Sequence, residues 1–480
     1  MLVRQFVIEG LGHLSTLIAD ESAGLAAVID PRRDVDVYLA AAAAADVRIS
    51  HVVETHLHND YVSGGRELAA VTGASHIIGA GAHLAHEHQP ASDGDVFEIG
   101  VLRFGVLDTP GHTPEHVTYA VADTSRAEEP LLLFTGGSLL VGSVGRTDLL
   151  GEENALPFAR SMFRSLREVI LPHEDFVSVY PTHGAGSLCS TDIASTPSST
   201  IGFERRHNSM IQATEFELFA QRLLQGQPTV PRYFARMRPL NQAGPRLMGG
   251  RVPGPRPLSV DEARAAIAAG GLVVDLRAPV EHALAHIPGS LSIPAGSSFG
   301  TWLGWVVEPD RPLVLVLDSP DDWDDAIRQG LRVGYENVRG HLRGGFRTWI
   351  EAGGAVESNG RLTVDQLAAR LRDGPAAPLV IDVRHASEYA DGHVPGAVHI
   401  TAGSLPDRLA ELPHDRSIAT ICASGYRASV AASLLRSAGF ADVSWVADGL
   451  PAWESQGHPV ERDVPEPLLA GTAHGHEGGR

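Results

Sequence analysis

The chain has 480 residues, enough for about three domains at roughly 100–200 residues each. Its 43% hydrophobic and 20% charged residues are ordinary for a globular protein, and no run of about 18 apolar residues is present to span a membrane. A formal net charge of −20, with all 38 basic residues arginine, excludes nucleic acid as a default partner and removes any Schiff-base or P-loop lysine.

The opening MLVRQFVIEGLGHL lacks a basic segment followed by an apolar core and a small-residue cleavage site, so a cytoplasmic protein is expected. Two cysteines, Cys189 and Cys422, are too few for a disulfide framework and fit a reducing compartment. Apolar runs predict strands over Leu25–Ile29, Ile49–Glu54, Phe104–Leu107, Leu131–Phe134 and Phe176–Tyr180, with helices over Asp36–Ala45 and Leu156–Val169.

Polar side chains gather just past these runs. His56, His58 and Asp60 follow the second one in THLHNDY, His112 follows Phe104–Leu107 through DTPGH, and His183 follows Phe176–Tyr180 through PTH. Strand ends at one sheet edge share a site, and converging neutral imidazoles suit a divalent metal of intermediate softness.

THLHNDY resembles the His-x-His-x-Asp-His motif of the metallo-β-lactamase superfamily. The further blocks DTPGHTPEH (108–116), FTGGSLLVGSVGRTDL (134–149) and YPTHGAGS (180–187) look like its persulfide dioxygenase branch. The resemblance covers residues 1–240. It implies an αββα sandwich with a metal at one sheet edge, and oxidation of a thiol persulfide to sulfite and thiol by Fe(II) and O₂. His56 and His112 match the family's two histidines, and Tyr61, at a position where the motif has His, is carried over as a substrate contact; Arg146, in GRTD with Asp148, is either a substrate contact or half of an ion pair that shapes the site. Gly137 stands where the family has a metal-ligating Asp. Three arrangements remain open: His58 completes a three-histidine site, Asp60 supplies the carboxylate, or the site is weak or empty. Iron follows from the resemblance; three neutral histidines suit zinc equally. Cys189 is read as a buried structural thiol.

Residues 241–257, NQAGPRLMGGRVPGPRP, are rich in Pro and Gly and read as a linker. An internal repeat follows. LVVDLRAPVEHALAHIPG (272–289) recurs as LVIDVRHASEYADGHVPG (379–396), and Gly345 and Trp349 recur as Gly449 and Trp453. Two small α/β domains are expected, over 258–358 and 361–460, making the whole chain an α/β multidomain protein. The last residues, 466–480, read as a disordered tail.

In the second repeat, the run Ser417–Ile421 delivers Cys422 into a loop, Ala423–Tyr426, that leads to Arg427 and a helix over Ala428–Ala438. Loop N–H groups, a helix N-terminus and an arginine all favour a thiolate, the form that attacks sulfur. With DVR, GHVPGA and DGLPAW, this segment resembles the rhodanese family. That implies sulfurtransferase chemistry with Cys422 as sulfur carrier, Arg427 beside it, and Ser424 and Gly425 in the substrate-binding loop. The Asp382–Arg384 pair is read as structural. Counting 104 residues back from Cys422 reaches Asp318 in LVLVLDSPDDW, so the first repeat is expected to lack activity and serve packing.

The expected function is persulfide oxidation coupled to sulfur transfer, acting on a small-molecule thiol persulfide or thiosulfate, with no nucleic-acid or membrane partner and, by family habit, as a homo-oligomer. The alternatives are a zinc thioester hydrolase resembling glyoxalase II, and a degenerate metal domain acting as scaffold for a rhodanese.

Overall fold

The computed structural model describes residues 1–462, so the tail expected at 466–480 lies outside the described residues. The chain divides into two compact units, Met1–Ser358 and a second beginning at Asn359.

The first unit opens with two six-stranded sheets. One runs in sequence order through β1 (Leu2–Ile8), β2 (His13–Asp20), β3 (Leu25–Ile29), β4 (Arg48–Glu54), β5 (Ser75–Gly79) and β6 (Gln89–Ala91). The other holds β7 (Val96–Ile99), β8 (Leu102–Asp108), β9 (Val117–Asp123), β10 (Leu132–Gly136), β11 (Ser178–Pro181) and β12 (Ser199–Thr200). Strand alternation sorts side chains into layers. Ile18 of β2 joins Val53, Ile77, Phe104, Tyr119 and Phe134 in a core between the sheets. Its neighbours Leu17 and Ala19 turn the other way, against Tyr38 and Ala42 of α1 (Asp36–Ala44) and Leu68 of α2 (Gly65–Thr72). On the far side, Leu133 and Val179 pack against Met162 of α3 (Glu152–Arg164) and Phe219 of the helix Phe216–Leu224. The result is the expected αββα sandwich, each buried Ile, Leu or Phe contributing roughly 1.5–3 kcal/mol relative to exposure.

The segment read as a linker is fastened down. It begins inside the helix Phe234–Ala243. Beyond that helix, Glu67 accepts the N–H groups of Met248 (2.8 Å) and Gly250 (2.6 Å), and Arg66 donates to the carbonyls of Gly244 (2.8 Å) and Pro245 (2.9 Å). Turn-rich composition marks the absence of regular structure here, and Glu67 supplies the partners that the backbone needs.

Each repeat is a five-stranded parallel sheet. The first has the order β13-β17-β16-β14-β15, from β13 (Pro257–Leu258), β14 (Leu272–Asp275), β15 (Leu291–Ser292), β16 (Leu313–Val316) and β17 (Val338–Leu342). The second repeats this with β18 (Gly360–Leu362), β19 (Leu379–Asp382), β20 (Val398–His399), β21 (Ile418–Ile421) and β22 (Val443–Val446), in the order β18-β22-β21-β19-β20. Arg277 grips Asp275 and Arg384 grips Asp382 with closest distances of 2.6 and 2.7 Å. Each arginine also donates to a nearby carbonyl, Ala285 or Gly392, so the pair is a structural clasp in both copies.

The first repeat docks on the sandwich. Asp34 is fully buried and takes both Nε (2.8 Å) and Nη2 (2.7 Å) of Arg332, while Arg328 reaches Asp34 and Asp36. The Val62 N–H donates to the Arg332 carbonyl at 2.7 Å, and Thr301 Oγ1 donates to the Gly10 carbonyl at 2.8 Å. Approach at Gly10 is so close that a Cβ there would sit 1.6 Å from the Ser297 carbonyl oxygen. Among the described residues, no helix is long and apolar enough to cross a membrane.

Candidate metal centre

The sheet edge where β3, β4, β10 and β11 end is organised by a residue that sequence reasoning missed. Asp30, directly after β3, adopts a φ of 50°, a conformation Asp tolerates better than most residues. Its Oδ1 accepts the Thr55 N–H at 2.7 Å and its Oδ2 the Thr55 hydroxyl at 2.8 Å. Thr182 donates its hydroxyl to the same carboxylate, tying the loop after β4 to the loop after β11.

Those loops, with the one after β8, carry His56, His183 and His112, whose ligand nitrogens lie within 4.8 Å of one another. Each ring has a partner on its outer nitrogen. His56 Nδ1 is 2.9 Å from Thr55 Oγ1; since that hydroxyl donates to Asp30, the imidazole N–H donates to it. His112 Nδ1 donates to the Arg146 carbonyl at 2.8 Å, and His183 Nδ1 lies 3.2 Å from Asp60 Oδ2. The inner nitrogens are left facing one another. His56 Nε2 and His183 Nε2 are 3.4 Å apart, and the buried His112 Nε2 has no hydrogen-bond partner. Three lone-pair nitrogens, each ring fixed by a hydroxyl, a carbonyl or a carboxylate behind it, are a donor set that fits a divalent cation.

Burial favours the neutral form of His56 and His112, whereas at His183 burial is outweighed by the neighbouring Cys189 and Asp60, which raise the imidazole well above its ordinary value. Burial holds His112 down to about 3, with His183 adding to the effect, and keeps His56 well below its ordinary value. Burial would raise the Asp60 carboxyl, but His183 beside it outweighs this and holds the group below the usual carboxylate range.

The site differs from expectation in three respects. His58 does not complete the triad: its Nε2 faces Asp30 Oδ1 at 3.4 Å and its ring stacks on Tyr61 at 4.4 Å. His183 takes that place. Asp60 stands behind His183 rather than within the three-histidine group. Tyr61 is fully buried, its hydroxyl on the Asp30 carbonyl at 3.3 Å, so it does not face a substrate. Of the two readings of Arg146 the geometry is that of the ion pair: Nε and Nη2 bind Asp148, both at 2.6 Å, and Nη1 serves the carbonyls of Leu188 (3.0 Å) and Pro228 (2.8 Å). Its contribution to the site is the backbone carbonyl that aims His112.

His116 and Asn241 also escaped sequence reasoning. His116 Nε2 accepts the Gly137 N–H at 2.9 Å, holding the strand end where the family's carboxylate would stand. Asn241 donates to the carbonyls of His58 and Tyr61, both at 3.0 Å, and accepts the Ser63 N–H at 2.9 Å. The HTPEH spacing of His112 and His116 was a usable signal; Asn241 was hidden in a Pro/Gly-rich stretch. A narrow cleft of about 10 Å³, room for about one water, reaches Asp60 between Leu11, Leu188, Tyr233 and Thr301.

In the second unit, Cys422 follows β21 and is fully buried. Its sulfur accepts the N–H groups of Gly425 (3.1 Å) and Ala428 (3.4 Å), as a cradle for sulfur-centred negative charge requires. Gly425 has a φ of 85°, and Ser424 is exposed on the loop. The helix begins at Tyr426, two residues before expectation. Arg427 does not hydrogen-bond the sulfur. Glu388 holds it at 2.6 and 2.7 Å, a partner unnoticed in the sequence. The first repeat has no thiol, and strand register corrects its alignment. Asp275 pairs with Val316 as Asp382 pairs with Ile421, so Leu317, not Asp318, is the counterpart of Cys422.

Residues 8–183 match the metallo-beta-lactamase superfamily, and residues 259–352 and 363–456 each match the rhodanese-like domain family. The chain is therefore a metallo-beta-lactamase domain joined to two rhodanese-like domains. It is 28% identical over 238 residues to a hydroxyacylglutathione hydrolase of Dictyostelium discoideum, a match covering 49% of this chain and 84% of that protein. For the hydroxyacylglutathione hydrolase of Rhodospirillum rubrum the match spans only 59% of the relative's length. The crystal structure of a metallo-beta-lactamase from Staphylococcus aureus subsp. aureus COL is similar with a TM-score of 0.64 and 29% identity, over 71% of this chain and 98% of that one. That of ETHE1 from Myxococcus xanthus is 29% identical over 51% of this chain and 99% of that one, with a TM-score of 0.44.

Proposed function

We propose that this chain metabolises sulfane sulfur. The N-terminal domain oxidises a low-molecular-weight thiol persulfide to sulfite at one metal held by His56, His112 and His183, and the second rhodanese-like domain carries sulfur on Cys422. The observation that carries this reading is the presence, in one chain, of a three-histidine donor set and a cysteine sulfur cradled by two backbone N–H groups. The metal, iron(II) by family resemblance, would supply Lewis-acid and redox chemistry. The reaction consumes one O₂ and one water per persulfide. The S–S bond breaks, the terminal sulfur is oxidised to sulfite, O₂ is reduced, and the thiol and two protons are released. The protein's part is to aim the nitrogens of three buried imidazoles at one point, with a narrow cleft reaching Asp60 beside them.

At Cys422 the thiolate attacks the sulfane sulfur of thiosulfate or of a persulfide. Sulfite or the thiol leaves, and a cysteine persulfide remains, its charge held by Gly425 and Ala428. Cys422→Ser is expected to abolish thiosulfate:acceptor transfer while O₂ uptake on a thiol persulfide continues; His56→Ala is expected to do the reverse. Transfer that survives in Cys422→Ser, or O₂ uptake that survives in His56→Ala, rejects the corresponding half.

A second reading is a zinc-dependent thioester hydrolase. The hydroxyacylglutathione hydrolase relatives favour it, as does a three-histidine donor set, which suits zinc. It requires thioester cleavage without O₂ consumption.

A further inference from the structure

The cleft at Asp60 is walled by two of the chain's modules. Leu11, Leu188 and Tyr233 line it from the sandwich and its extension, and Thr301 lines it from the first rhodanese-like repeat. Buried Asp60 stands 3.2 Å from the ring of His183, so the cleft leads to the edge of the histidine centre. Thr301 and Gly304 are three residues apart on the helix Phe299–Val306 and share a face. Thr301 Oγ1 is tied to the Gly10 carbonyl at 2.8 Å, and a Cβ on Gly304 would stand 2.4 Å from Tyr233 Cδ1. Tyr233 is itself buried, with the Phe234 ring edge-on at 5.0 Å. This side of the cleft cannot recede without undocking the repeat. The opposite side is softer: Leu11 and Leu188 are half-buried, and rotation of such side chains is fast.

We propose that the helix Phe299–Val306 of the first repeat sets the width of the entrance to the metal domain, so that a persulfide enters only as an unbranched chain, sulfur first, with its carrier left outside. At about 10 Å³ the cleft holds one water, so Leu11 and Leu188 must turn aside to pass even the slimmest chain. The fixed wall of Thr301, Gly304 and Tyr233 leaves no further width for a branch. The substrate class is therefore the persulfides of primary thiols, whose sulfur sits on a CH₂ group. A tertiary persulfide, with methyl groups on that carbon, is turned away. The repeat that lacks a thiol thus takes part in selection. The identity of the substrate rests on the dioxygenase reading; the entrance itself does not.

Cys189 reports on the entrance without any chemistry at a metal. It is buried, it follows Leu188, and its sulfur lies within 4.8 Å of the Asp60 carboxylate. In a Cys422→Ser background it is the only thiol. Its labelling by methyl methanethiosulfonate is compared with that by the tert-butyl reagent, each rate divided by that for free cysteine. The expected result is a preference of roughly 10-fold or more for the methyl reagent. Leu188→Ala should shrink the preference, Thr301→Phe should slow both reagents, and Thr301→Ser, which keeps the hydroxyl, should match the background. O₂ uptake on glutathione persulfide against penicillamine persulfide should follow the same order. Equal normalised rates in the background protein, or labelling that Thr301→Phe does not slow, overturns the proposal. Should Thr301→Phe fail to fold, the comparison of the two reagents in the background protein decides alone. Absence of O₂ uptake on either persulfide would reject the dioxygenase, and labelling would still decide the entrance.

Discussion

The ring of His112 occupies the space that a side chain on Gly137 would need: a Cβ there would lie 2.3 Å from His112 Cδ2. The ring cannot swing away without losing its bond to the Arg146 carbonyl. Restoring the family's residue by Gly137→Asp is therefore expected to destabilise the protein by about 1–3 kcal/mol and to lower metal uptake. Urea denaturation and metal analysis check this; a variant of unchanged stability that binds metal more tightly would reverse the argument.

His58 and His183 differ in role although both follow closely on a strand. His183→Ala should lose metal from the three-histidine centre on dialysis. His58→Ala removes only a partner of Asp30, and should weaken metal affinity by no more than about 10-fold. Competition against a chelator of known affinity separates the two.

The Glu388–Arg427 pair sets a pH dependence. Burial opposes ionisation of Glu388, but the Arg427 hydrogen bonds outweigh it and hold the carboxyl at about 2, against an ordinary 4.5. A depressed carboxyl contributes stability that is complete above 4.5 and drains away as pH falls towards 2. Glu388→Gln should cost about 1 kcal/mol at neutral pH, discounted for partial exposure. The gap between variant and parent should close across that acid window. Thermal melting at several pH values measures it, and a gap independent of pH would remove the pair as its source.

Breaking the buried Asp34–Arg332 pair leaves an uncompensated charge where the first repeat meets the sandwich. Arg332→Ala is expected to cost about 3–5 kcal/mol and to open residues 244–256 to proteolysis. Wild-type resistance in that variant would show that the remaining contacts suffice.

Gly425→Ala addresses the sulfur cradle. At a φ of 85°, a Cβ would stand 2.5 Å from the Ala447 carbonyl oxygen. The loop must shift, and the N–H group on Cys422 shifts with it. A loss of about 1.4 kcal/mol in the transition state corresponds to roughly 10-fold in kcat/KM for thiosulfate, measurable by steady-state assay.

Much of this was legible in the sequence because strand ends carry the chemistry. Apolar runs located β3, β4, β8, β10, β11 and β21 to within a few residues, and the polar side chains following them became the site. The fold as sandwich plus two repeats followed from motif and repetition. What could not be read was the partner on the far side of each ring. His58 and His183 look alike in sequence, and only the positions of Asp30 and Asp60 decide which one turns inward. Asp148, two residues from Arg146, could be read from the sequence as its partner, whereas Glu388, 39 residues from Arg427, left no local signature at that arginine. Asn241 lay in a stretch whose composition signals loop, and composition does not show where a loop is anchored. The repeat offset misplaced the thiol's counterpart because the two copies drift from 107 to 104 residues apart, and only strand pairing fixes the register.

The contacts around Arg332 bear on inheritance. Sequence divides the chain into three modules, but cohesion divides it into two, since the first repeat lends its backbone carbonyl to Val62 and its guanidinium to Asp34. A module used this way contributes through the surface it covers. Its sulfur chemistry can decay without penalty, as Leu317 shows, yet deleting it would strip the sandwich of a wall. Recombination that treats each of the three segments as a portable part would therefore separate the first repeat from the domain it has become part of.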